Sequence, residues 1–351
     1  MTTAPPGTSP TGTGPTGTGL SARLGSLARR PETGSFLGLL IVFAFFAFFG
    51  GSSFVTPAGA ASWLNVASEI GIVALPIGLL MIAGELDISI GSVIPAASMT
   101  VAVISGYYGL PIIFGVAAAL GLGLVVGLVN GLLVVRTEVP SFIVTLGSLF
   151  AVAGLTLGIT VLITGSTGVP IKASPVAKAV LGQFVGGIFQ VTIFWWLGAI
   201  AIVGFLLHIS KYGNWIFALG GDKVSARNAG IPTDRLTILL FMGSSFSAAF
   251  VGLSTAILYN SAQVASGSSF IFNSIISVVI GGVLLTGGFG SVIGITFGTM
   301  TFAIVSQGIF YTGFDANWAS LIIGVLLLLA VLLNNTFRKM ALAFSTKRKG
   351  A

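Results

Sequence analysis

The chain has 351 residues, of which only 23 are charged (15 basic and 8 acidic) and 50 are glycine. A soluble protein carries roughly a quarter of its residues as charged types, whereas here the share is 7%, with 55% hydrophobic residues and a mean hydropathy of +1.07. This excludes an ordinary water-facing globule and a disordered chain alike, and at roughly 20 apolar residues per crossing it leaves room for about ten transmembrane helices and little else.

In chain order, residues 1–20 include sixteen Thr, Gly or Pro. With no apolar surface to offset ordering entropy, residues 1–34 read as a disordered cytoplasmic tail. Arg23, Arg29 and Arg30 then precede an apolar run from Phe36. That resembles the charged start of a signal peptide, but no small-residue cleavage site follows, so an uncleaved first span is expected. Spans are expected at 35–50, 65–83, 88–107, 111–135, 142–164, 192–209, 236–258, 270–286, 288–312 and 318–336, forming a transmembrane domain over 35–336. A basic cytoplasmic tail, 337–351, closes the chain.

Ten spans put both termini on one side. With the N-terminus inside, Arg136, the cluster Lys211, Lys223, Arg227, Arg235, and the C-terminal Arg338, Lys339, Lys347, Arg348, Lys349 also fall inside, and only Lys172 and Lys178 depart from the positive-inside rule. The net charge of +7 therefore marks orientation in a plasma membrane, and no nucleic-acid partner is expected. Two connections are long: 165–191, external, and 210–235, internal and polar, which reads as a short amphipathic helix ended by Gly230-Ile231-Pro232. The other loops are too tight for a soluble catalytic domain.

The chemistry available is narrow. Cysteine is absent, which removes disulfides and thiolate metal sites. One histidine, His208, and few carboxylates give no metal site and no catalytic residue. No G-x-x-x-x-G-K-[ST] phosphate loop occurs, so any ATP chemistry, with its magnesium, belongs to another chain.

Gly123, Gly127 and Gly131 recur every four residues in the fourth span, and Gly290, Gly294 and Gly298 do so in the ninth. Small residues at this spacing line one helix face and allow close packing. They fit ordinary tight packing, and they also fit two five-span halves, which as an odd-numbered repeat must be inverted. No residue-level repeat between the halves accompanies them.

Four segments carry sharper signals. Gly84-Glu85-Leu86-Asp87-Ile88-Ser89-Ile90-Gly91-Ser92 places two carboxylates between apolar runs, where they must face water, pair or cap a helix. Asp87 or Ser89 is placed to accept backbone N–H bonds at the start of the third span. This segment resembles the G-G-I-D-L-S-V-G-S motif of the ribose-type sugar permeases, the membrane subunits of bacterial ABC importers. The second segment, Gly127 to Val135 with Asn130, then Val139-Pro140-Ser141-Phe142-Ile143-Val144-Thr145-Leu146-Gly147, is similar to that family's G-x-x-N-G-x-L-V and V-P-x-F-I-x-T-L-G. The third, Ala218 to Ile231, resembles A-x-G-G-N-x-x-A-A-R-x-x-G-I, and the fourth, Val279 to Ser291, resembles V-I-G-G-x-x-x-x-G-G-x-G-S. The four run in family order from residue 84 to 291. Departures fall at Glu85, at Ile271 and Asn273 where the family commonly has an acidic pair, and at Phe289 in place of a frequent basic residue; they bear on the substrate more than on the fold.

The resemblance implies a permease for a pentose-like sugar or related polyol, working with a separate ATPase, a solute-binding protein and a second permease copy or paralogue. It implies a coupling helix within 222–230 that docks on the ATPase. Gly221 and Asp222 belong to this coupling loop, in which Ser225, Ala226 and Ala229 form a small-residue contact face, Arg227 is a charged anchor and Gly230 a left-handed stop. Read without the family, the same residues fit a solvated loop that holds topology by charge. Lys172 and Lys178 are candidates for docking acidic groups of the binding protein, and equally fit a solvated loop. Asn130, Phe142, Asn273, Ser277 and Gln307 are candidate pathway groups, though each also fits helix packing. His208, at a membrane edge, reads as bonded to water. Two other classes remain: an ion-coupled secondary transporter relaying protons through Glu69, Glu85, Asp87 or His208, which leaves 218–231 unexplained, and a membrane-embedded enzyme, for which the chain offers almost no chemistry.

Overall fold

The computed structural model describes residues 32–313 and, beyond them, residues 315–318, 321, 324, 325, 328, 329 and 332. The tail as far as residue 31, the basic C-terminal tail and most of the expected tenth span, 318–336, lie outside the described residues.

The first long helix, α1 (Glu32–Phe49), stops at Gly50-Gly51, and a single turn, α2 (Gly51–Phe54), leads to α3 (Pro57–Ile82). Thr56 caps α3 by accepting the Gly59 N–H on Oγ1 at 3.1 Å, and Pro57 takes the first helical position, where its missing N–H costs nothing. Next come α4 (Ile90–Val101), prolonged by a π-helical stretch over Ala102–Tyr107, then α5 (Ile112–Thr137) and α6 (Ser141–Thr164). Between α6 and α8 (Thr192–His208) lie β1 (Gly168–Pro170), the short α7 (Pro175–Leu181) and a hairpin of β2 (Phe184–Val185) with β3 (Phe189–Gln190). After α8 the chain turns by 71° into α9 (Lys211–Gly221), followed by α10 (Lys223–Asn228) and the long α11 (Thr233–Tyr259). Strand β4 (Ser261–Gln263) pairs antiparallel with β1, Gly168 opposite Gln263, and so ties the end of α6 to the end of α11. Then come α12 (Ser268–Ile280) and α13 (Val292–Gly308), which tightens into a 3₁₀ turn over Ile309–Tyr311.

Among the described residues seven helices are long and apolar enough to cross a bilayer: α1, α3, α4 with its π-helical end, α5, α6, α11 and α13 with its 3₁₀ end. The bent pair α8–α9 is an eighth if counted as one span. The chain is thus an all-α polytopic membrane protein, with fewer long helices than the ten spans the hydropathy suggests. The largest difference is at 270–286. There α12 has 13 residues and reaches about 20 Å at 1.5 Å per residue, well under a hydrocarbon core of about 30 Å. The apolar letters continue through Val283, Leu284 and Leu285, but Gly282 adopts a left-handed φ of +89° and turns the chain out of the helix.

The inner helices are α3, α4, α11 and α13, whereas α1, α5 and α6 present most of their apolar surface outward. Glycine sets the distance between α5 and α11. A Cβ on Gly127 would lie 2.5 Å from the Phe241 carbonyl oxygen and 2.6 Å from Met242 Cα; one on Gly131 would lie 2.7 Å from Ile238 Cα, and one on Gly123 2.7 Å from the Ser245 carbonyl oxygen. The stripe read from sequence is therefore the seam of this helix pair. In the ninth span the pattern is shorter: Gly294 and Gly298 pack against the backbone at the end of α12, while Gly290 precedes α13 and lies in the loop.

Replacing Gly127 with alanine should force the α5 and α11 backbones apart and lower stability by about 1–3 kcal/mol, the range for overpacking. The same change at Gly121 of α5, where a Cβ meets nothing within 4 Å, should be nearly neutral. Thermal unfolding of the two variants in detergent checks the contrast.

Candidate functional site

The four sequence segments meet at one end of the helix assembly. At the end of α3, Gly84 turns the chain with φ +85°, and the Glu85 N–H reaches back to the Leu80 carbonyl at 2.9 Å. Gly287 (φ +81°) lies over this turn: a Cβ there would be 3.0 Å from Gly84 Cα and 2.8 Å from the Gly220 carbonyl oxygen. The neighbouring Gly288 donates its N–H to the Ile82 carbonyl at 2.8 Å. A Cβ on Gly220 would sit 2.6 Å from Gly288 N and overlap the Ile82 carbonyl. The α3–α4 turn, the end of α9 and the α12–α13 loop are thus stacked backbone on backbone, with no room for a side chain between them.

Beneath this seam is a buried polar network. Asp87 is wholly buried, and its Oδ1 accepts the Ser89 N–H at 2.9 Å and the Ser89 hydroxyl at 2.6 Å. The Ser245 hydroxyl of α11 reaches Oδ2 at 3.5 Å. The Asn130 amide of α5 donates to Ser89 Oγ at 2.9 Å and accepts from the Ser148 hydroxyl of α6. Two more α6 side chains hold the motif backbone: Ser141 Oγ accepts the Leu86 N–H at 3.0 Å, and Thr145 Oγ1 accepts the Ile88 N–H at 3.3 Å. A carboxylate in an apolar surround is tolerated only when its lone pairs are used in this way. Asp87 closes the turn ahead of α4, and Ser89 serves as relay between Asp87 and Asn130.

Above the seam, α10 is built from its ends. Asp222 caps it, accepting the Ser225 N–H at 2.5 Å. That backbone hydrogen bond, aided by the Ser225 side chain, holds the exposed Asp222 carboxyl below its ordinary pKa. The helix stops at Gly230, with φ +82° and the Ile231 N–H bonded to the Ala226 carbonyl at 3.1 Å. Ala226 faces inward and is buried, so the exposed side consists of Val224, Ser225, Asn228 and Ala229. Arg227 pairs with Asp234 at the start of α11, and its Nε donates to Thr233 Oγ1 at 3.3 Å. Lys223 Nζ lies 3.7 Å from Glu85, whose side chain is 14% exposed, and so links α10 to the α3–α4 turn. In α9, Lys211 sits over the rings of Tyr212 and Trp215, 5.7 and 5.4 Å from their centroids.

The remaining predicted residues are dispersed. Gly91 is a packing residue: a Cβ there would run into the Ile271 side chain of α12. Phe142 is exposed at the start of α6; Asn273 and Gln307 are partly buried on α12 and α13; Ser277 is buried, and its carbonyl oxygen packs against Gly298. Lys172 is exposed and Lys178 partly so, neither in an ion pair among the described residues. His208 differs from the water-bonded reading: its Nε2 accepts the Val292 N–H at 3.2 Å, satisfying a free donor at the start of α13 alongside the Ser291 cap. Sequence reasoning missed Ser141, Thr145, Ser148 and Ser245. Only the cluster of hydroxyl residues on otherwise apolar helices could have signalled them. No group of three or more His, Cys, Asp or Glu side chains placed to hold a metal occurs among the described residues.

Residues 59–331 match the family described as the branched-chain amino acid transport system permease component. The chain is 31% identical to a probable ABC transporter permease protein of Sinorhizobium fredii, over 83% of this chain and 85% of the relative. It is 29% identical to the fructose import permease protein of Rhizobium meliloti, over 79% and 78%, and 28% identical to the ribose import permease protein of Escherichia coli, over 87% and 94%. No solved structure matches the chain.

Replacing Asp87 with alanine strands the Ser89 N–H and hydroxyl in the interior, at about 1–3 kcal/mol for each unpaired group. D87N keeps one acceptor oxygen and should lose clearly less, as read by unfolding in detergent. The Asp222 cap carries its own pH dependence. A lowered carboxyl pKa stabilises α10 fully above the ordinary aspartate value, and the contribution is lost as pH falls through the lowered one. Amide exchange at Ser225 should therefore be protected at neutral pH, lose its protection only in strong acid, and be fast at every pH in D222A.

Proposed function

The chain belongs to the family of branched-chain amino acid transport system permease components, and from that we propose that it is the membrane-spanning subunit of an ATP-binding-cassette importer, forming the path for a sugar. The substrate class we infer is a pentose-like monosaccharide or related polyol. Its support is the similarity to ribose and fructose import permeases, together with the four motifs running in order from residue 84 to 291.

A solute-binding protein delivers the sugar on one face and a separate ATPase, with ATP and magnesium, drives the cycle from the other. The observation that carries this reading is the build of α10: a short helix capped at both ends, exposed along one side, and tied by Lys223 to Glu85 and by Arg227 to Asp234. A rigid, polar-rimmed projection of this kind can transmit a push. The load passes through the glycine seam and Glu85 to the Asp87 network, and from there to α4, α5, α6 and α11. We read Asn130, Phe142, Asn273, Ser277 and Gln307 as groups bordering the path, Asn130 from within that network, and Lys172 and Lys178 as contacts for acidic groups of the binding protein.

We further infer that α12, too short to cross alone, completes a crossing with the segments at its ends, giving ten crossings with both termini cytoplasmic in a bacterial inner membrane, arranged as two inverted halves. Packing supports the second point. The triad α3, α12, α13 mirrors the triad α11, α4, α5: α4 packs on α5 and α11, α12 packs on α13 and α3, and α5 meets α11 as α13 meets α3. A second permease copy or paralogue would complete the pore. The open face of α6, where Gly147, Gly154 and Gly158 meet no neighbour within 4 Å, suits such a helix–helix contact, while the outward apolar faces of α1 and α5 suit lipid. An ion-coupled carrier is less favoured. Glu85 is engaged by Lys223 and His208 by Val292, and Glu69 stands about 20 Å along α3 from the Asp87 end, so the acids form no relay.

In reconstituted vesicles, sugar uptake should require the ATPase, the binding protein and ATP, and should persist when proton uncouplers are added at constant ATP. Uptake by this chain alone without ATP would refute the assignment.

A further inference from the structure

The α12–α13 loop holds a feature that helix packing leaves unused. Leu284 to Gly287 form a tight turn closed by the Gly287 N–H on the Leu284 carbonyl at 3.1 Å, with the Leu284 N–H on the Phe289 carbonyl at 3.3 Å across its base. The turn is fixed to its neighbours through Gly287 and Gly288, which lie on the backbone of Gly84, Gly220 and Gly221. Its corner residues, Leu285 and Thr286, both face outward, and Leu285 is 66% exposed. On the other side of the same seam, three residues past Gly221, Val224 of α10 is 69% exposed.

A lone exposed leucine carries no message. Leu285 is different, because its turn is locked through Gly287 and Gly288 onto the backbone that leads into α10, so it cannot withdraw without breaking those glycine contacts. Val224 is flanked by exposed Asp222, Lys223, Ser225, Arg227 and Asn228, the polar rim that a protein contact keeps around an apolar centre. We propose that Leu285 is a second docking point for the ATPase subunit, continuous with α10, so that the partner grips the α12–α13 loop and the coupling helix together. This rests on the reading of α10 as the coupling helix and extends it to a residue 61 positions further along the chain than Val224. A partner that seats both side chains moves α9–α10 and the start of α13 as one body.

The absence of cysteine from the chain makes single-cysteine reporters direct. V224C and L285C, each in the full chain in membranes, are exposed to a water-soluble maleimide with and without the bound ATPase. Both should label readily in the permease alone and be protected in the assembled importer. Protection of V224C but not of L285C overturns the proposal and leaves the coupling helix standing. Protection of neither overturns both readings. If L285C is already protected without the ATPase, the leucine is in lipid and the proposal fails. As a second measure, L285E should weaken ATPase binding roughly tenfold, the scale of a contributing interface side chain, with unchanged thermal stability of the permease alone; unchanged binding counts against the proposal.

Discussion

Inside a bilayer two apolar helices gain no hydrophobic energy by meeting, because lipid tails are as apolar as leucine; what holds them is how closely their backbones approach. In this protein that approach is made by glycine, and the rest of the structure follows from it. Gly123, Gly127 and Gly131 let α5 lie directly on α11, and Gly294 and Gly298 do the same for α13 on the end of α12. At the cytoplasmic side proposed here, Gly220 and Gly287 bring the α3–α4 turn, the end of α9 and the α12–α13 loop into direct contact where a single methyl group would separate them. Dispersion and weak polar contacts between backbones replace the water-driven core of a soluble protein, which is why 50 glycines are compatible with long helices.

The same medium governs the polar groups. An unsatisfied donor or acceptor has no water to turn to, so the α3–α4 turn and its network draw partners from several helices: Ser141, Thr145 and Ser148 from α6, Asn130 from α5, Ser245 from α11. This network makes the Asp87 turn a fixed point shared by four helices. The glycine seam lies directly above it, and Glu85 joins the two through Lys223. Displacement of α10 is therefore not absorbed locally. It reaches elements that pack tightly and hold few alternative hydrogen-bond partners.

Much of this was legible in the sequence. The apolar runs located the long helices, the four-residue glycine spacing marked the α5 seam, and Gly230 has the chemistry of a helix stop. Other features depended on contacts that no linear pattern contains. Hydropathy carried the eighth span through Val283 to Leu285, because it scores side chains and cannot weigh a left-handed glycine at 282. Ala226 looked like a contact residue by size, yet its phase on α10 turns it inward. His208 looked like a surface group until the start of α13, 84 positions on, supplied its partner. The meeting of four motifs at one end of the molecule was the feature furthest out of reach, since it requires knowing which loops share a side and how closely they stack.

The bend of 71° between α8 and α9, with Lys211 resting on Tyr212 and Trp215, has one more implication. With this end cytoplasmic as proposed, a basic residue and two amphipathic rings at such a corner belong at the headgroup level of a bilayer, and α9 is then held by the membrane surface as well as by the protein. The height at which α10 stands above the hydrocarbon is then set in part by the lipid. A thicker or thinner bilayer would shift α9 relative to Gly84 and Gly287, and mismatch costs of fractions of a kcal/mol per ångström would act on the seam proposed to transmit the push. Lipid acyl length thus becomes a tuning parameter for the machine, acting at a joint that touches neither sugar nor nucleotide.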